Sequence, residues 1–183
     1  GTDNEAYGDY SAAMGTYNEA KGYNSAAVGT DNEAYGDYSA AMGTYNAANA
    51  DDSAAMGLYN TAEGEGSAAV GVANTANGDY SAAVGVANSV NGEGSSAFGI
   101  DNNIGNKLMG DSTDSTAVGK DNTINWSENA TAVGKGNTMG GAFGGSNNST
   151  VIGCSNTVAT GREMLAAGAN NTASGLRTTA VGS

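Results

Sequence analysis

Two short apolar registers recur along this chain every 14 residues, and they differ in how many faces they keep apolar. One full rung reads Gly15-Thr-Tyr-Asn-Glu-Ala-Lys-Gly22-Tyr-Asn-Ser-Ala-Ala-Val28. Its first segment, Asn18 to Gly22, holds Asn and Ala at alternate positions. The alanine recurs as Ala6, Ala20, Ala34, Ala48, Ala62 and Ala76, while its neighbours vary among Glu, Lys, Tyr, Thr, Ser, Ala and Asn. Period-two alternation predicts a short strand with one buried face, so that Glu19 and Lys21 face water. The second segment, Ser11 to Gly15 and its copies, is restricted at both alternating sets. Ala13, Ala27, Ala41, Ala55, Ala69, Ala83 and Ala97 are followed one residue on by a larger set: Met14, Val28, Met42, Met56, Val70, Val84, Phe98, Val118, Val133, Phe143, Ile152 and Val181. A strand that is apolar on both faces is covered on both. With alanine filling a narrow coil, the larger residues must pack against something outside it, and another copy of the chain is the economical candidate. The stripe Met14, Val28, Met42, Met56, Val70, Val84, Phe98, Val118 and Val133 is therefore the expected interface between chains. Left bare, it would be an aggregation liability.

A marker fixes the frame of these segments. Gly-x-x-Asn recurs along the chain, without a slip from 14-residue spacing through Gly99, and a fixed short period signals a solenoid. Glycine roughly every seven residues interrupts any helix within two turns, at about 1 kcal/mol each. A coiled coil would also show charged flanks on an apolar heptad, and these are absent. Stacked coils, with parallel pairing of equivalent strands about 4.8 Å apart, fit the pattern. Glycine suits corners that need a positive φ. The asparagines Asn4, Asn18, Asn32, Asn46, Asn60, Asn74, Asn88 and Asn102 are expected to stack as a structural ladder that satisfies backbone groups. The serines Ser11, Ser25, Ser39, Ser53, Ser67, Ser81 and Ser95 are expected to do likewise.

Composition narrows the possibilities. The apolar fraction is largely alanine, so a lone chain buries little large side-chain surface, and self-association is expected to help it. Proline and histidine are absent and Cys154 is the single cysteine, which removes disulfide frameworks and common zinc patterns. No apolar run approaches the roughly 20 residues that span a bilayer, and the chain opens inside a repeat, as an excised piece of something longer would. The net charge of −13 lies wholly in residues 1–106, where 14 acidic residues face one lysine, Lys21. Such a surface argues against nucleic acid or anionic lipid as partner. It also keeps an edge-rich repetitive fold soluble.

The motifs Ser81-Ala-Ala-Val-Gly85, Thr116-Ala-Val-Gly119, Thr131-Ala-Val-Gly134 and Thr179-Ala-Val-Gly182, in phase with Asn-x-Ala-x-Gly, carry a resemblance over nearly the whole chain. It resembles the YadA-like head of trimeric autotransporter adhesins. That resemblance implies an all-β, left-handed parallel β-roll of 14-residue rungs, associating as a parallel homotrimer. It further implies a position on the cell surface outside a Gram-negative outer membrane, and attachment to host matrix proteins, other cells or abiotic surfaces. A membrane would be reached only through an anchor absent from this chain. A segment of a phage or other trimeric fibre with similar repeats is the alternative.

We expect one repeat domain over residues 1–183, regular over 1–99 and irregular over 100–183. Marker intervals there become 20, 15, 10, 9, 15 and 14, which reads as an inserted loop near 100–116 and shortened rungs between Gly134 and Gly153. Solenoid insertions fall on loops, often at the binding face. The insertion Asn103 to Asp114, with Lys107 and Leu108, and Trp126 beyond it are candidate contacts; loop drift or packing between chains would also explain them. Nine tyrosines lie between Tyr7 and Tyr80. Tyr10, Tyr38 and Tyr80, beside Asp9, Asp37 and Asp79, form a candidate ligand surface, since tyrosine gives rigid amphipathic contact area. They could equally cover grooves on the coil. No catalytic, cofactor-binding or metal-binding residues are expected. Left-handed β-helix acyltransferases have a six-residue repeat and typically depend on histidine. Gly140-Gly-Ala-Phe-Gly-Gly145 lacks the aspartate of calcium-binding nonapeptides, and the mixed outward positions lack the threonine ladder of an ice-binding solenoid.

Overall fold

The regular rung folds into a two-residue strand and a five-residue strand separated by tight corners. A computed structural model describes residues 1–105, 112–141 and 144–182, and these fall into two compact units, Gly1–Ala87 and Asn88–Ser183. Both are all-β parallel solenoids.

In the first unit the short strands are β1 (Glu5–Ala6), β3 (Glu19–Ala20), β5 (Glu33–Ala34), β7 (Ala47–Ala48), β9 (Thr61–Ala62) and β11 (Thr75–Ala76). The long strands are β2 (Ala12–Thr16), β4 (Ala26–Thr30), β6 (Ala40–Thr44), β8 (Ala54–Leu58), β10 (Ala68–Val72) and β12 (Ala82–Val86). Each set forms its own sheet, ordered by rung, with equivalent residues paired: Ala27 with Ala41, Val28 with Met42, Gly29 with Gly43. Between the sheets lies a core of fully buried alanines, Ala20, Ala34, Ala48, Ala62 and Ala76 from one and Ala27, Ala41, Ala55, Ala69 and Ala83 from the other. In this unit alanine holds the facing inward positions of both sheets.

Every rung of the first unit turns at two residues in left-handed backbone. One corner uses Asp3, Tyr17, Asp31, Tyr45, Tyr59, Ala73 and Ala87, with φ between 50° and 55°. The other uses Tyr10, Asn24, Tyr38, Asp52, Gly66 and Tyr80, with φ between 52° and 62°. Glycine was the expected corner residue, yet the marker glycines lie inside the long strands. The reason is close approach. Gly29 has φ +125°, and a Cβ there would sit 2.0 Å from the Gly43 carbonyl oxygen and 3.0 Å from Asn32 Nδ2. The marker glycine makes room for the asparagine three residues on.

The second unit contains short strands β13 (Ser89–Val90), β15 (Asn103–Ile104), β17 (Thr123–Ile124), β19 (Thr138–Met139) and β20 (Ser146–Asn147), and the longer β22 (Thr157–Arg162) and β24 (Thr172–Leu176). Its other sheet is β14 (Ser96–Ile100), β16 (Thr116–Lys120), β18 (Thr131–Lys135), β21 (Thr150–Cys154), β23 (Leu165–Ala169) and β25 (Thr179–Gly182), paired in that order. Here the core is larger. Val90, Ile104, Ile124, Met139 and Val158 occupy the buried place that alanine holds in the first unit. Each isoleucine adds about 2 kcal/mol of burial over alanine.

Two expectations about the irregular half need correction. Asn103 and Ile104 form β15, and Ile104 is fully buried, so the insertion is narrower than Asn103 to Asp114 and begins after Gly105. Second, Gly144-x-x-Asn147 is not a rung. β18 pairs directly with β21, Gly134 opposite Gly153, so the stretch is one lengthened rung and not two shortened ones. Asn147 serves elsewhere, its Oδ1 accepting the Glu128 backbone N–H at 3.2 Å.

Candidate functional site

The asparagine column is a structural device that holds the faces on either side of it in register. In the first unit Asn18, Asn32, Asn46, Asn60 and Asn74 each donate Nδ2 to the preceding asparagine's Oδ1 at 2.8–3.0 Å. The same amides reach the marker glycine carbonyl of the next rung at 2.8 Å. Asn4 Nδ2 bonds Gly15 O at 2.7 Å. The second unit repeats the arrangement from Asn88 through Asn102, Asn122, Asn137, Asn156 and Asn171. Burial makes these bonds costly to leave unmade.

The serines behave differently in the two units. Ser25 Oγ donates within its own turn to Gly22 O at 2.7 Å, and Ser39, Ser67 and Ser81 Oγ have no partner. In the second unit Ser95, Ser115 and Ser127 do link rungs, accepting backbone N–H from Ser115, Ala130 and Ser146. Their expected ladder therefore forms in only one unit.

Alternation along the long strands places Ala13 and its copies inward and Met14, Val28, Met42, Met56, Val70 and Val84 outward. These larger residues remain half-buried or exposed on the single chain. No charged residue occurs in β2, β4, β6, β8, β10 or β12. The outward face of that sheet is thus uncharged along the whole first unit, and all of the unit's acidity lies on the other faces. In the second unit Phe98, Val118 and Val133 hold equivalent outward positions, flanked by Lys120 and Lys135. Cys154 is exposed on β21.

The tyrosine corner is partly assembled. Tyr10 and Tyr38, 80% and 55% exposed, are bridged by Tyr23, whose ring meets each edge-on at 5.6 and 5.5 Å. Tyr80 stands apart and donates to Glu65 Oε1 at 3.2 Å, which raises its phenol pKa. Of the acids beside them, Asp37 and Asp79 each accept a backbone N–H of the rung below, at 2.7 and 2.9 Å, as does Asp51 at 2.8 Å. Trp126 is 38% exposed at a left-handed corner of the second unit, φ 54°. Lys107 and Leu108 lie outside the described residues, as does Phe143.

Sequence reasoning missed a second aromatic and acidic face on the short-strand side. Glu5, Glu19 and Glu33 stack in register, an arrangement of like charges that costs stability unless partnered. Tyr7 donates its hydroxyl to Glu5, and Tyr35 to Glu19. Lys21 Nζ lies 2.8 Å from Glu19 and 4.1 Å from the Tyr35 ring centroid. The Lys21 bond, then the Tyr35 bond, hold the Glu19 carboxyl below its usual range. Burial, then the bond to Glu19, push the Tyr35 phenol up to about 12. The signal was available: a 14-residue period brings Tyr at n+16 onto Glu at n. Clefts open beside this ladder, one of about 260 Å³ lined by Asp3, Glu5, Tyr17, Asn18 and Glu19. Its counterpart two rungs on, about 180 Å³, is lined by Asp31, Glu33, Tyr45, Asn46 and Ala47.

Among the described residues no three potential metal ligands cluster. No curated protein matches the chain significantly. The family described as YadA head domain repeat (2 copies) matches residues 20–46, 34–60, 48–74, 62–87, 76–102 and 159–183, more than half of the chain. That is a family of structural adhesins without enzymatic activity. With its Gly-x-x-Asn rungs, parallel paired strands and outward apolar stripe, the chain belongs to the YadA head domain repeat family.

Proposed function

We propose that this chain is the head of a trimeric autotransporter adhesin, carried outside the cell and attaching it to a host matrix protein, another cell or an abiotic surface. The observation that carries the reading is the uncharged outward face of β2, β4, β6, β8, β10 and β12. Contiguous apolar surface on a soluble protein marks an interaction site. Three copies meeting along Met14, Val28, Met42, Met56, Val70, Val84, Phe98, Val118 and Val133 would cover it, and would leave the acidic and tyrosine-bearing faces outward. Residues 1–183 then act as one head domain. Adhesion follows from many weak contacts repeated along three chains, a multivalent arrangement in which overall avidity exceeds single-site affinity.

Tyr10, Tyr38, Tyr80 and Trp126, with Lys107 and Leu108 of the insertion, are the proposed contact surface. The test is attachment of the purified chain to matrix proteins, cells and untreated plastic, with and without Val70→Asp. The aspartate should break self-association and lower attachment on every surface where the head binds. Attachment equal to that of the unaltered chain, by a variant that is monomeric, would refute the reading. Changing Tyr10, Tyr38 and Tyr80 to serine should lower attachment without altering self-association.

A further inference from the structure

Adhesion by avidity leaves open what chemistry each copy recognises, and the short-strand side of the first unit carries an answer. Tyr17 and Tyr45 occupy left-handed corners, φ 54° at both, where a bulky side chain is disfavoured and where Asp3, Asp31, Ala73 and Ala87 stand in other rungs. Both rings remain about half exposed, at 55% and 48%, Tyr45 stacking one face on Tyr59 at 4.9 Å and leaving the other open. Each lines a cleft with carboxylates: Asp3, Glu5 and Glu19 around Tyr17, Asp31 and Glu33 around Tyr45. An exposed ring edged by acids is complementary to a cation, because the ring face and the carboxylates attract the same charge.

The chain already shows the mode of binding. Lys21, its one basic residue before the insertion, sits over the Tyr35 ring and against Glu19. The ammonium is thereby held by a π face on one side and a carboxylate on the other. No equivalent lysine fills the clefts at Tyr17 and Tyr45. Their equivalent residues lie two rungs apart, roughly 10 Å, which an extended peptide spans in about three residues. One segment can therefore place a cation in each.

We propose that the face bearing Tyr17 with Asp3 and Glu5 and, two rungs on, Tyr45 with Asp31 and Glu33 docks a lysine-bearing segment of a cationic protein, each ammonium seated on a tyrosine ring and a flanking carboxylate. Charge complementarity selects this partner: the first 106 residues hold 14 acidic groups and one basic one. The inference rests on the adhesive reading and names the chemical class of its ligand. It does not depend on the outward apolar face, so it can be tested on any oligomeric state.

The experiment titrates the full chain with a fluorescent peptide of repeated Lys-Gly-Ser units and with its Nε-acetylated copy. Sedimentation of the same samples reports self-association separately, so that loss of the trimer is not mistaken for loss of this site. The double variant Tyr17→Ala, Tyr45→Ala keeps every charge and installs the residue that Ala73 and Ala87 already place at this corner. It should bind the lysine peptide about tenfold more weakly, the loss of two exposed cation–π contacts. The charge-reducing control Asp9→Asn, on the other corner, should change binding less than twofold, and acetylation should abolish it. Binding by the double variant within twofold of the unaltered chain would overturn the proposal. So would an equal loss in the Asp9→Asn control, since diffuse attraction to an acidic surface would then suffice.

Discussion

Replacing Asn46 by alanine tests the device on which both units depend. Asn46 lies mid-column in the first unit and is 1% exposed. Its Nδ2 reaches Asn32 Oδ1 at 2.9 Å, Met42 O at 3.0 Å and Gly57 O at 2.8 Å. Its Oδ1 accepts from Asn60 Nδ2 at 3.0 Å and from the Asn60 backbone N–H at 3.1 Å. Truncation leaves that buried N–H without its partner, at a cost of about 1–3 kcal/mol, and removes one of the bonds to the Gly57 carbonyl. The void left by the amide adds to this. A total loss of about 2–4 kcal/mol is expected, or about 10 °C or more in the midpoint of a cooperative unit of this size.

Thermal unfolding followed by far-ultraviolet circular dichroism measures it, with Asn49→Ala as the comparison. Asn49 is one rung position away from the core and exposed, so its truncation should stay within about 0.5 kcal/mol. Equal midpoints for the two variants would refute the reasoning, since the column would then be an ornament of the repeat and not its support.

Other perturbations read other parts of the structure. Ala41→Leu overfills the alanine core between Ala27 and Ala55 and should cost about 1–3 kcal/mol, whereas Ile124→Ala in the second unit should cost about 2–5 kcal/mol; denaturant titration checks both. Glu19 has a lowered carboxyl pKa, so its contribution is present above the ordinary glutamate range and is lost as pH falls through the folded value. Lys21→Met should move its titration upward, as read by carboxyl NMR shifts; an unmoved titration would mean that Lys21 is not its main partner. The Tyr35 phenol, raised to about 12, should ionise later in Glu19→Ala than an ordinary tyrosine but earlier than in the unaltered chain, because burial is the larger cause and the bond to Glu19 the smaller. Ultraviolet titration reports the difference.

Much of this fold is legible in period alone. Alternation in Asn18 to Gly22 and double apolarity in Ser11 to Gly15 assign the strands, their inward alanines and the outward Met14 stripe. What period cannot show is where a marker does not mark. Gly144-x-x-Asn147 has the right letters but the wrong neighbours, since a rung also needs the strand β18 to stop short of β21 by one copy, and it does not. The corners were misassigned for a related reason. Gly29 is required by the approach of a neighbouring rung, and the positive φ at Tyr17 and Tyr45 is enforced by the stacking of rungs above and below, against local preference. In the Glu19, Lys21 and Tyr35 cluster the first two are neighbours on one face of a single segment, and only Tyr35 joins them across rungs, through the 14-residue period.

If the uncharged outward sheet face is an interface, two further copies of the chain cover it. Sedimentation equilibrium at micromolar concentration tests it directly. A single species of three times 17.9 kDa is expected, reduced to one chain by Val70→Asp. A stable monomer of 17.9 kDa for the unaltered chain would contradict it.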